Sequence, residues 1–175
     1  MDYQTLELTI AEDVARITLN RPDVKNALNT QMRAEIQHAV KLAENEARVI
    51  LMTGAGSAFC SGQDLSDRGT AINLDIERTL RDEYQPMLQA IYDCKVPTIA
   101  AVNGAAAGAG ANLALAADVV IATESAVFLQ AFTRIGLIPD AGGTYWLPRQ
   151  VGFAKAMGAA LFAEPVSAKQ AEAWG

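Results

Sequence analysis

The sequence predicts an α/β fold assembled from repeated units of strand, loop and helix. A continuous apolar run at residues 49–52 is typical of a buried strand, and a glycine-rich loop follows it at 54–62. The pattern recurs at 97–102, an apolar run that leads into the glycine- and alanine-rich loop 103–110, with a predicted helix at 111–117. Because 51% of the 175 residues are apolar and the composition does not change along the chain, we expect a single domain that spans all residues.

Two strands and a long helix are predicted before the first of these units. Apolar and polar residues alternate at 6–10 and again at 14–19, which predicts a hairpin. Asn29 or Thr30 is a suitable N-cap for the helix that follows. Its buried face carries apolar residues at helical spacing, namely Met32, Ile36, Ala39, Val40 and Ala43. Its solvent face carries polar residues, namely Arg33, Gln37, Lys41 and Glu44.

Further elements are predicted on both sides of the second unit. The charged and polar residues at 64–82 indicate an exposed segment that becomes helical toward Ala90. After the second unit, strands are predicted at 119–122 and 126–130, and helices at 144–150 and 153–162. Ser167 is a suitable N-cap for a helix at 168–174, so the chain ends inside a predicted helix.

The composition argues against several classes of protein. A net charge of −6, from 20 acidic and 14 basic residues, is unfavourable for holding nucleic acid or an anionic membrane. No apolar run has the length of a membrane span and the N-terminus does not resemble a signal peptide, so we expect a cytoplasmic protein. Cys60 and Cys94 fit no metal-ligand spacing and His38 is the single histidine, so we expect reduced thiols and no metal site.

The two loops that lead from a buried strand into a helix are candidates for binding negative charge. The first N–H groups of a helix have no partner within it, and they attract an anion or a polarised carbonyl oxygen. Residues 105–110 are all alanine or glycine, so no long side chain keeps an incoming carbonyl from the backbone. From these residues alone, the alternative is that they simply allow close helix packing. A dinucleotide-binding fingerprint is disfavoured, because residues 108–113 lack its third glycine.

Four motifs, in this order, resemble those of the crotonase family of enoyl-CoA hydratases and isomerases. They are residues 20–22 with 26–29, residues 59–65, residues 101–104 with 108–110, and residues 136–143. The resemblance covers nearly the whole chain and implies a crotonase-like superhelix of repeated ββα units. Relatives continue with helices that help to cover the ligand and to build trimers, and this C-terminal helical part of the family is absent from the chain. The resemblance also implies a homotrimer or a dimer of trimers.

The same resemblance implies an enzyme that binds an acyl-CoA thioester and stabilises its enolate with backbone N–H groups. The two donors fall on the backbone N–H groups of Gln63 and Ala109. Coenzyme A is part of the substrate, so no separate cofactor is expected. The positions implied for coenzyme A and the acyl group are Lys25, Ala27, Asp64, Leu65, Gly108 and Asn112. For Asp64 and Asn112 the alternative is a structural role, as a cap of the nearby helix.

The residues available for proton transfer distinguish an isomerase from a hydratase. The two glutamates with which family hydratases hold water fall on Asn112 and Phe132, and neither side chain titrates. A position used by family isomerases falls on Asp140. One carboxylate is sufficient to remove a proton beside the thioester and to return it two carbons away. Without the resemblance, an aspartate that follows Pro139 and precedes two glycines is typical of a turn.

An acyl-CoA isomerase is therefore the predicted function. Residues 59–65 and 136–149 are similar to those of the isomerases of bacterial phenylacetate degradation, which convert ring-1,2-epoxyphenylacetyl-CoA to oxepin-CoA. Their relatives also shift double bonds in linear enoyl-CoA. Two alternatives stay open: an enoyl-CoA hydratase or another reaction of the family, and a CoA-binding protein without turnover.

Overall fold

Two β-sheets form the framework of the computed structural model, which describes residues 2–66 and 75–175. The strands are β1 (Leu6–Ala11), β2 (Val14–Leu19), β3 (Val49–Gly54), β4 (Ala58–Cys60), β5 (Thr98–Val102), β6 (Ala105–Ala107), β7 (Val119–Ala122), β8 (Val127–Leu129) and β9 (Val166–Ser167). The helices are α1 (Thr30–Glu46), α2 (Ile76–Thr79), α3 (Gln85–Tyr92), α4 (Ala109–Leu115), α5 (Gly143–Val151), α6 (Phe153–Phe162) and α7 (Ala168–Trp174). One sheet has the order β1-β2-β3-β5-β7 and the other the order β4-β6-β8-β9.

Successive strands of the repeated units alternate between the two sheets. β3, β5 and β7 are parallel neighbours in the first sheet. The strands that directly follow them along the chain, β4, β6 and β8, are parallel neighbours in the second. Each unit therefore adds one strand to each sheet before a helical segment leads to the next unit. This arrangement confirms the predicted α/β fold of repeated ββα units.

The predictions of the sequence are incomplete for the second sheet. β4 lies inside the predicted loop 54–62 and β6 lies inside the predicted loop 103–110, so the loop predictions are wrong at these residues. A strand of three residues is too short to show an alternating pattern, and the alanines of β6 have no strand preference. Helix α4 begins at Ala109, two positions before the start of the predicted helix.

Helix α1 is placed by its cap and by its apolar stripe, and both predictions are confirmed. The side-chain oxygen of Asn29 accepts a hydrogen bond from the N–H of Met32 at 2.8 Å, as expected of an N-cap. All five apolar residues predicted for its inner face are buried. The predicted hairpin also forms, with β1 and β2 antiparallel and Leu6 opposite Leu19.

Arg33 corrects the prediction for the solvent face of α1, because only 1% of this residue is exposed. Its Nη1 donates to the carbonyl oxygen of Leu28 at 2.6 Å, and its Nη2 lies 2.7 Å from Oε2 of Glu83. A guanidinium is tolerated in the interior when its charge is paired and its N–H groups are bonded. Helical periodicity cannot reveal this pairing, since the two residues are 50 positions apart.

The helical segment that follows the first unit is also partly predicted. α2, a π-helical turn at Leu80–Tyr84 and α3 succeed one another without a break. The prediction of an exposed segment at 64–82 is wrong at Asp64, which is buried because its carboxylate pairs with Arg21 at 2.8 Å. Residues 67–74 of that segment lie outside the described residues.

The last helices confirm the predictions for the C-terminal third of the chain. α5 and α6 cover the two predicted helices, and α7 begins after Ser167. The Ser167 hydroxyl accepts from the N–H of Gln170 at 3.2 Å, and the Gln170 side chain accepts from the N–H of Ser167 at 3.0 Å. This reciprocal capping box fixes the start of α7. Within the described part of the chain, none of the helices combines the length and the apolar character needed to cross a membrane.

Glycine is required at the place where α4 meets β4. A Cβ added to Gly110 would lie 2.3 Å from the carbonyl oxygen of Cys60 and 2.7 Å from its Sγ. Because these distances are far shorter than van der Waals contact, even a methyl group would force the helix and the strand apart. The contact therefore sets how closely the first turn of α4 approaches the second sheet.

We expect Gly110→Ala to lower the free energy of unfolding by about 3 kcal/mol, because the backbone must shift to admit the methyl group. Gly158→Ala is the matched control, since the nearest atom to its added Cβ is Cδ2 of Phe162 at 4.0 Å. Alanine inside α6 should raise the free energy of unfolding by about 0.5–1 kcal/mol. Urea unfolding followed by circular dichroism measures both variants. Changes of the same sign and size would contradict the close approach.

Candidate active site

The turns after β4 and β6 lie side by side at one edge of the second sheet. The two strands are parallel neighbours, so their C-terminal ends meet at the same edge. Gly62, in the first turn, has a φ of +93°, which favours glycine. A Cβ on Gly62 would lie 2.7 Å from the carbonyl oxygen of Ala107 and 3.4 Å from the nitrogen of Ala109. The two turns are therefore in direct backbone contact, with no room for a side chain between them.

The N–H of Gln63, one of the two predicted donors, points away from the neighbouring chain segment. Residues 28 and 63 form an isolated parallel bridge. That bridge is made by Leu28 N donating to Gly62 O at 2.8 Å and by Asp64 N donating to Leu28 O at 3.1 Å. In a parallel bridge of this kind the middle residue directs its own N–H to the opposite side. The N–H of Gln63 is thus directed away from Leu28.

The second predicted donor, the N–H of Ala109, lies at the start of α4. The first N–H groups of a helix have no acceptor in the preceding turn. The amide before it is already used, because Gly108 N donates to Leu129 O at 2.8 Å. Gly108 has a φ of 52° and a ψ of −126°, a conformation that requires glycine. This glycine lets the chain leave β6 and enter α4 within one residue.

Asp140 lines a cavity of about 650 Å³ between the α2–α3 segment and the loop before α5. Leu80, Tyr84 and Leu88 lie on one wall, and Trp146 lies on the other beside Asp140. Oδ1 of Asp140 is buried and has no hydrogen-bond partner among the described residues. Burial raises the pKa of Asp140 to about 6, although a hydrogen bond from its own backbone opposes the change. A carboxyl group that titrates near neutral pH is suited to both accept and donate a proton.

Asn112 holds the backbone of Asp140 from behind the cavity. Its Nδ2 donates to the carbonyl oxygen of Asp140 at 2.8 Å, and its Oδ1 accepts from Nε2 of Gln130 at 2.8 Å. Because a carbonyl only accepts, the orientation of both amides is fixed. Asn112 is 0% exposed, and it lies inside α4 rather than at its cap. Its side chain is therefore occupied in fixing the loop that carries Asp140.

Two adjoining chain segments beside the Gln63 turn carry the other predicted ligand positions, which are Lys25, Ala27, Asp64 and Leu65. We call these two segments the ledge. Ser61 N donates to Lys25 O at 3.0 Å, which joins the two chain segments of this ledge. The Lys25 side chain and Leu65 are exposed, whereas Ala27 is buried. Asp64 is buried too, so its carboxylate faces protein groups and not the surface of the ledge.

The carboxylate of Asp64 has a structural part in this ledge. It accepts from the N–H and the hydroxyl of Ser66 at 2.9 Å and 2.6 Å and pairs with Arg21. Burial alone would raise the pKa of Asp64, but these hydrogen bonds and the charge of Arg21 together lower it. The carboxylate therefore stabilises the turn that follows Gln63.

Two residues at the site are not among those predicted from the sequence. Tyr84 lines the cavity and donates its hydroxyl to Oε1 of Gln63 at 2.7 Å. Tyr84, Leu88 and Ile91 have the spacing of a buried helical face, and this spacing is the one feature of the sequence that indicates the burial of Tyr84. Gln130 has no comparable signal, because its partner Asn112 is 18 positions away.

Comparison with known proteins places the chain in a family. The family model described as Enoyl-CoA hydratase/isomerase matches residues 9–175. The protein belongs to the enoyl-CoA hydratase/isomerase family. The resemblance to crotonases found in the four sequence motifs is thereby confirmed. Members of this family are enzymes, so the site described above is the candidate active site of a family enzyme.

Relatives in this family carry both names. A "Probable enoyl-CoA hydratase" of Rhodobacter capsulatus is 64% identical over 175 residues, which are 100% of this chain and 68% of that protein. The 1,2-epoxyphenylacetyl-CoA isomerase of Escherichia coli is 46% identical over 171 residues, covering 95% of this chain and 65% of that protein. The solved structure of an enoyl-CoA hydratase from Bacillus anthracis is 34% identical in sequence and superposes with a TM-score of 0.89. The match covers 98% of this chain and 68% of the Bacillus anthracis chain. The chain thus spans about two thirds of the length of these relatives.

The buried carboxyl of Asp140 predicts a stability that depends on pH. Its pKa of about 6 in the folded protein lies above the ordinary value of 3.8, so the proton is bound more tightly in the folded state. The stability that Asp140 contributes is complete below about pH 4 and is lost as the pH rises through 6. The gain in free energy of unfolding from Asp140→Asn should therefore be ~2 kcal/mol larger at pH 8 than at pH 4. Urea unfolding across this range measures it, and a constant difference would contradict the burial of the charge.

Proposed function

We propose that the protein is an acyl-CoA isomerase in which Asp140 moves a proton between two carbons of the substrate. The N–H groups of Gln63 and Ala109 would hold the thioester oxygen as it becomes an enolate oxygen. The observation that carries this proposal is a single buried carboxyl, with its pKa raised to about 6, on the wall of a cavity. Since the chain spans about two thirds of its relatives, the proposal concerns the activity of the whole protein.

The two backbone donors supply the electrostatic part of the mechanism. Removing a proton beside a thioester places negative charge on the thioester oxygen. Fixed donors that point at this oxygen stabilise the charge without rearranging, and each is worth about 3 kcal/mol in related oxyanion holes. The direct contact between Gly62 and the start of α4 supports the proposal, because Gln63 and Ala109 lie on adjoining turns.

Asp140 supplies the proton transfers. Its carboxylate accepts a proton from the carbon next to the thioester, and the electrons of the broken C–H bond pass into the enolate. The neutral acid then returns the proton two carbons away, so the product has the same composition as the substrate. A pKa near 6 lets the same group act first as base and then as acid at neutral pH.

The alternative acid or base in the cavity is less suitable. Glu77 also lines the cavity, but its side chain is 84% exposed and lies 2.7 Å from the guanidinium of Arg81. The two positions of the hydratase glutamates hold Asn112, which is fully buried, and Phe132, which is 6% exposed. Without a second buried carboxyl among the described cavity residues, the addition of water lacks the pair of groups that family hydratases use.

The walls of the cavity favour a cyclic acyl group. Its aromatic residues are Tyr84, Tyr92, Tyr145 and Trp146. Flat aromatic rings pack well against another ring. This lining supports ring-1,2-epoxyphenylacetyl-CoA as substrate, with oxepin-CoA as product, in agreement with the name of the E. coli relative. Coenzyme A would then lie along the ledge of residues 25–27 and 64–65, and the protein would assemble as a homotrimer or a dimer of trimers.

A hydratase is the second candidate, because the relative from R. capsulatus carries that name. Mass spectrometry of the product separates the two reactions. Hydration adds the mass of one water to the substrate, whereas isomerisation leaves its mass unchanged. A CoA-binding protein without turnover would bind the thioester and change neither its mass nor its spectrum.

We expect Asp140→Asn to lower kcat at least ~100-fold while the affinity for an acyl-CoA stays within about twofold, because only the proton transfer is removed. Glu77→Gln is the matched control and should keep kcat within about threefold, since this carboxylate is exposed and paired. Turnover is measured with ring-1,2-epoxyphenylacetyl-CoA and with a 3-enoyl-CoA.

The pH dependence of the same enzyme is a further prediction. The ionised form of Asp140 begins the reaction, so kcat/KM of the wild-type protein should fall as the pH drops below about 6. If the Asp140→Asn variant turned over as fast as the wild-type protein, Asp140 would be ruled out as the base. A pH profile in which kcat/KM does not fall at low pH would also rule it out. Binding without any turnover by the wild-type protein would favour the CoA-binding alternative.

A further inference from the structure

Tyr84 connects the acyl-group cavity with the turn that carries Gln63. The residue is 3% exposed, and the part that remains accessible lines the cavity. Its hydroxyl lies 2.7 Å from Oε1 of Gln63. A single side chain therefore touches both the space for the acyl group and the residue whose backbone N–H faces the thioester in the proposed function.

The hydrogen bonds of the Gln63 side chain fix its orientation without ambiguity. Nη1 of Arg33 lies 3.0 Å from Oε1 of Gln63, and a guanidinium only donates. The atom facing Arg33 must therefore be the amide oxygen, and the Tyr84 hydroxyl must donate to it. The amide nitrogen then donates to the carbonyl oxygen of Asp64 at 3.1 Å. Both ends of the Gln63 side chain are bonded, so its torsions and the turn that bears it are restrained.

The donors to Gln63 are themselves held in place. Arg33 lies over the ring of Tyr84, with 4.8 Å from Cζ to the ring centre, and it pairs with Glu83. Glu83 and Tyr84 are consecutive residues of the π-helical turn, an irregularity that is frequent at functional sites. We call Arg33, Gln63, Glu83 and Tyr84 the Gln63 clamp. Its four members come from three elements far apart in the sequence, so the clamp joins α1, the turn after β4 and the cavity wall.

We propose that Tyr84 is a positioning residue that keeps the N–H of Gln63 aimed at the thioester oxygen through its hydrogen bond to the Gln63 side chain. This inference rests on the proposed function, in which that N–H stabilises the enolate. Donors of an oxyanion hole contribute most when they are fixed before charge develops. Without the hydroxyl, Arg33 is the remaining donor to Oε1 of Gln63 among the described residues, and the turn is less restrained. The loss should appear in the transition state more than in substrate binding.

The state of the Tyr84 hydroxyl fits a donor and not a base. Burial raises the pKa of Tyr84, the charge of Arg33 lowers it, and the charge of Asp140 raises it, with a net increase above the ordinary value. The hydroxyl therefore stays protonated at neutral pH. Its proton is directed to Gln63, so Tyr84 acts through that residue and does not exchange protons with the substrate.

Tyr84→Phe tests this role with little change of shape. We expect kcat to fall roughly 10–100-fold, as misplaced catalytic groups do, while KM changes less than about twofold. Tyr3→Phe is the matched control, since it removes a hydroxyl that bonds Nδ1 of His38 at 2.8 Å and Tyr3 is not among the described residues that line the cavity. Its kcat should stay within about twofold of wild type. Circular dichroism and thermal unfolding check that both variants are folded.

A double-mutant cycle distinguishes positioning from an independent effect. In a Gln63→Leu background the acceptor is absent, so Tyr84→Phe should then change kcat by less than about twofold. Additive losses in the cycle, or an unchanged kcat in the single variant, would overturn the inference. If the protein proves to be a hydratase, the same cycle applies to that reaction, because it also develops charge on the thioester oxygen.

A measurement without turnover keeps the inference testable if the proposed reaction fails. The probe is a saturated, unreactive acyl-CoA labelled with carbon-13 at the thioester carbon. Hydrogen bonds to the carbonyl oxygen move its NMR signal downfield on binding. We expect Tyr84→Phe to lose at least about half of this shift and Tyr3→Phe to keep it. An identical shift in wild type and Tyr84→Phe would show that the hydroxyl does not position the donor, whatever the reaction.

Discussion

The structure depends on the direct backbone contact between the turn after β4 and the first turn of α4. Gly62 and Gly110 make this contact possible, since a Cβ on either would lie less than 3 Å from a backbone atom of the facing segment. Parallel pairing of β4 with β6 brings the two turns to one edge. The Gln63 turn and the start of α4 thus meet with no side chain between them. The proposed oxyanion hole would require this combination, because a side chain between the turns would keep the thioester oxygen from the backbone N–H groups.

Side chains from outside the two turns surround the site, and two of them differ in whether their charge is paired. These two are Arg33 and Asp140. Arg33 is buried with Glu83 as partner, and hydrogen bonds satisfy its N–H groups. Oδ1 of Asp140 is buried and has no cationic partner among the described residues, and desolvation therefore dominates the pKa of Asp140 and raises it to about 6. A cation within about 4–6 Å would lower that pKa instead. Pairing with Glu83 gives Arg33 a structural role, whereas the absence of such a pair among the described residues leaves Asp140 available for the proposed acid/base role.

Local features of the sequence predict much of the fold, and distant contacts account for what they miss. The caps at Asn29 and Ser167 and the stripe of α1 depend on residues within one or two turns, so they are visible in the sequence. β4 and β6 have three residues each and are defined by their pairing, which no short window contains. Arg33 is buried by a partner 50 positions away. The family motifs point to Gln63, Ala109 and Asp140, but not to the side chains that fix them.

The bond between Asn112 and Asp140 couples two positions that appear independent in the sequence. The carbonyl oxygen of Asp140 lies 2.8 Å from Nδ2 of Asn112, so residue 112 must donate a hydrogen bond. An ionised glutamate at position 112 has no donor, and its negative charge would face that carbonyl oxygen. The packing around residue 112 is also tight, since a Cβ added to Gly143 would lie 2.4 Å from Nδ2 of Asn112. Replacing Asn112 with the glutamate of family hydratases would therefore remove the hydrogen bond that holds the loop that carries Asp140. In the proposed isomerase the amide at 112 and the carboxyl at 140 therefore depend on each other, and a change from that reaction would require both positions and their packing to change together.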